Sequence, residues 1–151
     1  MHRPTTESER HRNDDGSASL EFLTAGLILL VPVVYLIVSL GIVQSHTFAA
    51  QAAARHVARA IATAADVAQA DTRVDAITQA IAAEYGMTAD DLALAVECSG
   101  SGPCPGAGEI IRVTVNTDAV LPLVPPVLGL DRLARVPIEA TAVQRMPRVW
   151  G

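Results

Sequence analysis

The stretch Gly16–Val43, GSASLEFLTAGLILLVPVVYLIVSLGIV, decides the architecture of this chain. From Phe22 to Val43 it runs for 22 residues without a charge. A helix rises about 1.5 Å per residue, so this run would span roughly 33 Å, against a hydrocarbon core of about 30 Å. The stretch therefore predicts a transmembrane helix over residues 17–43. Pro32 is compatible with either an ordinary membrane proline or a hinge.

Residues 1–16 form a polar leader without apolar periodicity, and we expect this leader to be unstructured. Three arginines precede the apolar run and two follow it closely. Because orientation follows basic residues near a span, this bias predicts a cytoplasmic N-terminus and an extracytoplasmic C-terminal side. A secretory signal cut near Ala50–Ala52 is the alternative, but the apolar region of such signals is ordinarily shorter than this run.

Glu21 stands just before the uncharged run. Because a charge inside a bilayer is energetically unfavourable, a carboxylate at this position calls for an explanation. One interpretation is an interfacial residue of the first helical turn, favoured by the helix dipole. The other is a chain cut after Gly16, with Ser17 as its new N-terminus. The amine of Ser17 and the carboxylate of Glu21 would then lie four residues apart on one helix face. They could pair within one chain or between neighbouring copies.

Residues 44–70 continue the helical pattern as an alanine-rich stem. Alanines four residues apart let a second helix approach closely, so the stem suits bundling with copies or relatives of itself. A stalk that holds a domain away from the membrane is the plainer alternative. His46 and His56 do not share a helix face, so we expect both to be surface or packing residues and predict no metal site there.

Residues 71–151 are predicted to form a small extracytoplasmic domain that begins with a second helix. Apolar residues recur at intervals of three and four from Val74 to Tyr85, which indicates an amphipathic helix from about Asp71. Gly86 supplies its C-terminal stop. The following Thr88–Asp91 resembles a capping box at the start of a short turn.

Alternating residues then predict an antiparallel sheet of about three strands. We expect a hairpin from strands over 92–98 and 109–117, and a last strand over 133–145 in which Pro137 favours an edge position. The apolar, proline-rich segment 118–133 is predicted to be a loop that either packs back on the domain or offers a contact surface. The fold class expected for the whole chain is therefore α+β.

Cys98 and Cys104 are the two cysteines of the chain. Two cysteines without a nearby histidine cannot build a structural zinc site. We expect a disulfide if this side faces an oxidising compartment, and free thiols otherwise. A disulfide would close a small Gly- and Pro-rich loop and contribute about 2 kcal/mol by chain entropy.

Composition argues against several function classes. The net charge is −5, and the 11 basic residues, all arginine, form no cluster, so nucleic-acid binding has little support. Aromatic residues make up 3% of the chain, too few for a stacking platform. No nucleophile stands in a recognisable motif and no metal-ligand cluster is present, so we expect neither enzymatic activity nor a cofactor.

The segment Gly16–Phe22, ahead of an apolar span, resembles the start of TadE-type minor pilins (pseudopilins) of the tight-adherence, or Flp, pilus system. Leu30–Pro32, Gly41–Val43 and Gln51–Arg59 are also similar to that family, as is the proline-rich loop. Gln44 departs from the pattern, since relatives often carry an acidic residue there. The TadE and TadG-like types stay undistinguished, whereas the major Flp pilin is much shorter than this chain.

The resemblance implies a prepilin peptidase that cuts between Gly16 and Ser17, and a role for Glu21 in assembly. It implies that other pilins and the pilus assembly platform are partners of the N-terminal helix. The expected function is non-enzymatic: assembly or priming of an adhesive type IV pilus. The alternative is an unprocessed single-pass membrane protein that displays a small extracytoplasmic binding domain.

Overall fold

The computed structural model describes residues 10–124 and 134–150, with side chains from Ser19 onward. These residues confirm the predicted α+β fold, with a long helix, a second helix and a three-stranded antiparallel sheet. The chain divides into two compact units, with the boundary between Leu40 and Gly41.

Helix α1 runs from Arg10 to Ala62 and continues through Pro32. The expectation of an unstructured leader is therefore wrong for residues 10–16, which are helical; residues 1–9 lie outside the described part of the chain. The physical reason is that no proline interrupts residues 10–16, and extending an existing helix adds one hydrogen bond per residue without a new nucleus.

Helix α1 ends at Ala62, before the predicted limit of Ala70, and helix α2 spans Val67–Glu84 rather than starting near Asp71. Asp66 causes the earlier start, because its side chain accepts a hydrogen bond from the Gln69 amide at 2.8 Å and caps α2. The Gln69 side chain accepts in turn from the Ala65 amide at 2.9 Å. This reciprocal pair resembles a capping box and fixes the turn between the helices.

The predicted stop of α2 at Gly86 is confirmed. Gly86 has a φ of +72°, and its amide donates to the Ala83 carbonyl at 3.3 Å. The Met87 amide donates to the Ala82 carbonyl at 2.8 Å. These two bonds form a Schellman motif, which needs the left-handed conformation that glycine adopts without strain.

The sheet has the order β1-β2-β3, with β1 over Ala93–Cys98, β2 over Ile110–Val120 and β3 over Arg135–Arg145. Both neighbouring pairs are antiparallel, so the predicted hairpin is confirmed. Pro137 lies in β3, an edge strand, as its missing amide predicts.

Strand β2 extends three residues beyond its predicted end, into the segment expected to be a loop. Ala119 is fully buried and pairs with Val136, so the inward alternation continues through this part of the strand. A turn follows at residues 121–124, where the Leu123 side chain is exposed. The rest of the predicted loop, residues 125–133, lies outside the described residues.

The core of the second unit forms between the C-terminal part of α1 and the sheet. Ile111, Val113 and Val115 of β2 are fully buried, as their alternation predicts. They share one cluster with a buried face of α1 made of Ala49, Ala50, Ala53, Ala54, Val57, Ala58, Ile61 and Ala62. Most alanines of residues 44–70, expected to face a second helix or to form a plain stalk, are instead buried in the core of this unit, because small side chains pack at high density against the sheet cluster.

Candidate assembly segment and surrounding features

Gly16, Ser17 and Glu21 all lie within α1. The Glu21 side chain is exposed, and the adjacent Phe22 is 79% exposed. Ser17 and Glu21 are one helical turn apart, the spacing at which an N-terminal amine and a carboxylate face each other. The geometry of the described helix is therefore compatible with the pairing expected after a cut behind Gly16.

The helix beyond Glu21 carries an uncovered apolar surface. All large aliphatic side chains from Leu20 to Leu40 are exposed. Thr24 satisfies its hydroxyl within the helix, by donating to the Leu20 carbonyl at 2.7 Å. Over Ser19–Ala62, α1 is long and apolar enough to cross a membrane. The coarse expectation of a helix able to span a bilayer is met, and no described residue of the chain covers the large aliphatic side chains from Leu20 to Leu40.

Cys98 and Cys104 form a disulfide with Cα atoms 5.7 Å apart, as the sequence predicts. The bond closes the loop between β1 and β2. On the strand side, the Ser99 amide donates to the Ile110 carbonyl at 3.0 Å, and the Ser99 hydroxyl accepts from the Ile110 amide at 3.1 Å. The disulfide therefore ties a glycine-rich connection to the end of a regular ladder.

The same loop wraps around the carboxyl group of Glu109. A Cβ atom at Gly100 would overlap Glu109 Oε1, and one at Gly106 would lie 2.8 Å from Glu109 Cδ. Glu109 Oε2 is buried and has no hydrogen-bond partner among the described residues. The sequence does not indicate this contact, because the loop composition indicates only irregular structure. The two glycines provide the space in which the carboxyl group lies.

His46 connects α1 to the sheet. Its Nδ1 atom lies 3.2 Å from Oγ1 of Thr117, which is buried. The pairing joins residues 71 positions apart, so no spacing rule in the sequence indicates it. The expectation of a packing role for His46 is consistent with this contact.

The C-terminal tail also carries a contact that sequence analysis missed. The Trp150 indole donates through Nε1 to the Ile61 carbonyl at 3.2 Å, near the end of α1. Trp150 is the single tryptophan of the chain and packs against the core. The only sign of this contact in the sequence is the tryptophan itself, because a buried indole N–H usually donates a hydrogen bond. Its fluorescence is therefore an intrinsic reporter of the folded second unit.

The capping box at Thr88 is confirmed and gives the stability of the second unit a pH dependence. The Thr88 amide and hydroxyl each donate to Asp91 Oδ2 at 2.8 Å. The hydrogen bond from the Thr88 backbone, followed by the one from its hydroxyl, lowers the pKa of Asp91 below its ordinary value of 3.8; the nearby charge of His46 acts in the same direction. The stability from this carboxylate is present above pH 3.8 and is lost as pH falls through the folded pKa.

We expect Asp91→Asn to lower the urea midpoint, measured by Trp150 fluorescence, slightly at pH 7. The difference from the original chain should shrink as pH falls below 3.8, because Asp91 is protonated first in the unfolded chain and only at lower pH in the folded one. Asp90→Asn removes the neighbouring charge and leaves the bonds to Thr88 in place, so it should not reproduce the effect. A difference that stays constant down to pH 2.5 would contradict this assignment.

Several clefts lie on the second unit. One of about 350 Å³ is lined by Asp90, Asp91, Thr117 and Arg135, among others. Another, of about 580 Å³, lies between Gln51 and Arg55 of α1 and residues 139–143 of β3. Within the part of the chain that the structure describes, no three His, Cys, Asp or Glu side chains come together as a metal site. No family model, curated protein or solved structure matches this chain.

Proposed function

We propose that this chain is a non-enzymatic, TadE-like minor pilin that takes part in the assembly or priming of a tight-adherence type IV pilus for surface adhesion. The observation that carries the proposal is the order of features in α1. Gly16 precedes Glu21 by five residues, and Glu21 directly precedes a helical segment whose large aliphatic side chains are exposed.

Processing after Gly16 explains why a carboxylate stands at the edge of the apolar segment. A prepilin peptidase would release the leader and create an amine at Ser17. The Glu21 carboxylate then has a cationic partner in its own chain or in the neighbouring pilin, which offsets the cost of its burial in apolar surroundings. Other pilins and the assembly platform would contact this same helix.

The second unit supports an extracytoplasmic location. The Cys98–Cys104 disulfide suits an oxidising compartment, and the arginine bias around the span favours a cytoplasmic N-terminus. A secretory signal cut near Ala50–Ala52 would remove Ala49 and Ala50, both fully buried, from the core. The core therefore favours a chain that keeps its apolar helix.

The mass of the N-terminal peptide, recovered from the cell envelope, tests this proposal. We expect a mature chain that begins at Ser17, because the leader is removed behind Gly16. Glu21→Ala should still be cut at the same bond, but at least about tenfold less of it should reach the pilus fraction, since the lost pair corresponds to about 1.4 kcal/mol or more.

Glu9→Ala is the matched control, because it removes a carboxylate from the leader that processing discards. It should be cut and incorporated like the original chain. A chain that still begins at Met1 would contradict the pilin proposal and favour a single-pass membrane protein that displays a binding domain. A chain that begins near Ala53 would instead indicate a secreted, soluble product.

A further inference from the structure

The two outer edges of the sheet carry backbone groups that no strand of the described chain pairs with. In the β2–β3 pair, Met146 donates to the Glu109 carbonyl and Leu121 to the Ala134 carbonyl, both at 2.8 Å. Even-numbered residues of β3 therefore direct their amides and carbonyls toward β2. By the alternation of an antiparallel ladder, the odd-numbered residues direct theirs outward.

Pro137 falls in this outward row, so its missing amide removes no bond from the ladder. Beyond it, the outward row consists of Glu139, Thr141, Val143 and Arg145, each able to donate and accept. The cleft of about 580 Å³ runs along this stretch, with Gln51 and Arg55 of α1 on its far side. The outer edge of β3 therefore has both free backbone groups and space beside them.

Strand β1 offers the complementary edge. The Ser99 amide donates to the Ile110 carbonyl at 3.0 Å, so odd-numbered residues of this strand direct their backbone groups toward β2. Leu94, Val96 and Cys98 then direct theirs outward. Because β1 and β3 are each antiparallel to β2, they are parallel to one another. Two copies in the same orientation can thus place β1 of one beside β3 of the other as parallel strands.

Charge selects one register for this parallel pairing. With Glu97 opposite Arg145, Ala95 stands opposite Val143 and Ala93 opposite Thr141. All these side chains are exposed and share the sheet face away from the core. The whole of β1 then lies along residues 141–146 and avoids Pro137. A shift of six residues would instead place Glu97 opposite Glu139 and Ala95 opposite Pro137, an arrangement disfavoured by like charge and by a lost donor.

We propose that a second copy of this chain adds its β1 to the outer edge of β3 as a parallel strand, in the register that pairs Glu97 with Arg145. The contact uses two different edges, so it leaves a free edge at each end and can extend to further copies. One edge pair is a small contact, and confinement of copies to a membrane raises their effective concentration. The inference rests on the proposed function in one respect only, namely that the copies are anchored in a membrane in the same orientation.

Cross-linking of the full chain in isolated membranes tests this pairing. The variant that carries Ala95→Cys and Val143→Cys is treated with a short bis-maleimide, which reacts with free thiols and leaves the native disulfide intact. We expect a ladder of cross-linked multimers. The out-of-register pair Ala95→Cys with Glu139→Cys should cross-link at least about fivefold less, because its side chains are no longer direct cross-strand neighbours.

Charge exchange in the Ala95→Cys, Val143→Cys background tests the register. Glu97→Arg and Arg145→Glu should each lower the cross-linked fraction about fivefold, as a favourable cross-strand pair becomes a repulsive one. Their combination should restore it. Glu97→Arg stands opposite Arg112 of its own sheet and should lower the urea midpoint slightly, whereas Arg145→Glu stands opposite Ile110 and should leave it unchanged. A cooperative urea transition in each variant confirms folding.

Either of two results would overturn the edge pairing: no ladder from the in-register pair, or dimers from Val143→Cys alone, which would indicate β3 against β3 in a two-fold arrangement. Neither result bears on the N-terminal mass. A chain that starts at Ser17 without the ladder would overturn this inference and leave the pilin proposal standing.

Discussion

Ile111→Ala should lower the free energy of unfolding by about 2–5 kcal/mol, the range for loss of a large aliphatic side chain from a packed core. Ile111 is fully buried, begins the inward row of β2 and belongs to the cluster shared with α1. Its truncation leaves a cavity that the sheet cannot fill, because both of its neighbouring strands are held in register by ladder bonds. The urea midpoint of the detergent-solubilised chain, followed by Trp150 fluorescence, measures the loss.

Ile110→Ala is the matched control for this change. Ile110 precedes Ile111 in the same strand and loses the same atoms, but it points to the opposite face and is 41% exposed. We expect its truncation to cost about 1 kcal/mol or less. Equal losses at the two positions would show that the inward row of β2 has been assigned to the wrong face.

Ala53→Leu should have the second largest effect, with a loss of about 1–3 kcal/mol or a failure to fold. Ala53 is fully buried, with Ala49 one turn before it and Val57 one turn after it on the buried face of α1. The three added carbon atoms can be accommodated only if the elements that cover this face move apart, which would disturb the shared core cluster. The same urea titration measures this loss.

Gln51→Leu is the control, since it places a leucine two residues away on the exposed side of the same helix. We expect a change within about 0.5 kcal/mol, as is usual for a surface position. An equally mild loss for Ala53→Leu would show that the alanine face of α1 is not tightly packed in the core. The pair thus separates the volume of leucine from any effect of its helix propensity.

The sequence predicted which strand residues point into the core, because only one face of the sheet is buried. Ile111, Val113 and Val115 alternate with exposed residues, and this period of two is visible without any knowledge of partners. The stop of α2 at Gly86 was predictable for a similar reason, because glycine marks a left-handed C-cap locally. The motif from Gly16 to Glu21 is likewise contained within six residues.

The features that were missed depend on residues distant in sequence or on competing local patterns. The bond between His46 and Thr117 and the bond from Trp150 to Ile61 join separate elements, and neither has a periodic indication. The end of α1 was placed too late because alanine favours helix on both sides of Asp66, so propensity hid the cap. The role of the alanine face was misread because small residues suit a sheet as well as a second helix.

The alanine face of α1 limits which inherited changes this chain can accept. A single base change in an alanine codon yields serine, threonine, valine, glycine, proline, or an acidic residue. At Ala53, threonine and valine add volume at a fully buried position, proline removes a helix bond, and an acidic side chain buries a charge without a partner. Serine and glycine are the mildest replacements. We therefore expect fewer tolerated substitutions at the alanines of this face than at the buried positions of β2, where valine and isoleucine can replace one another.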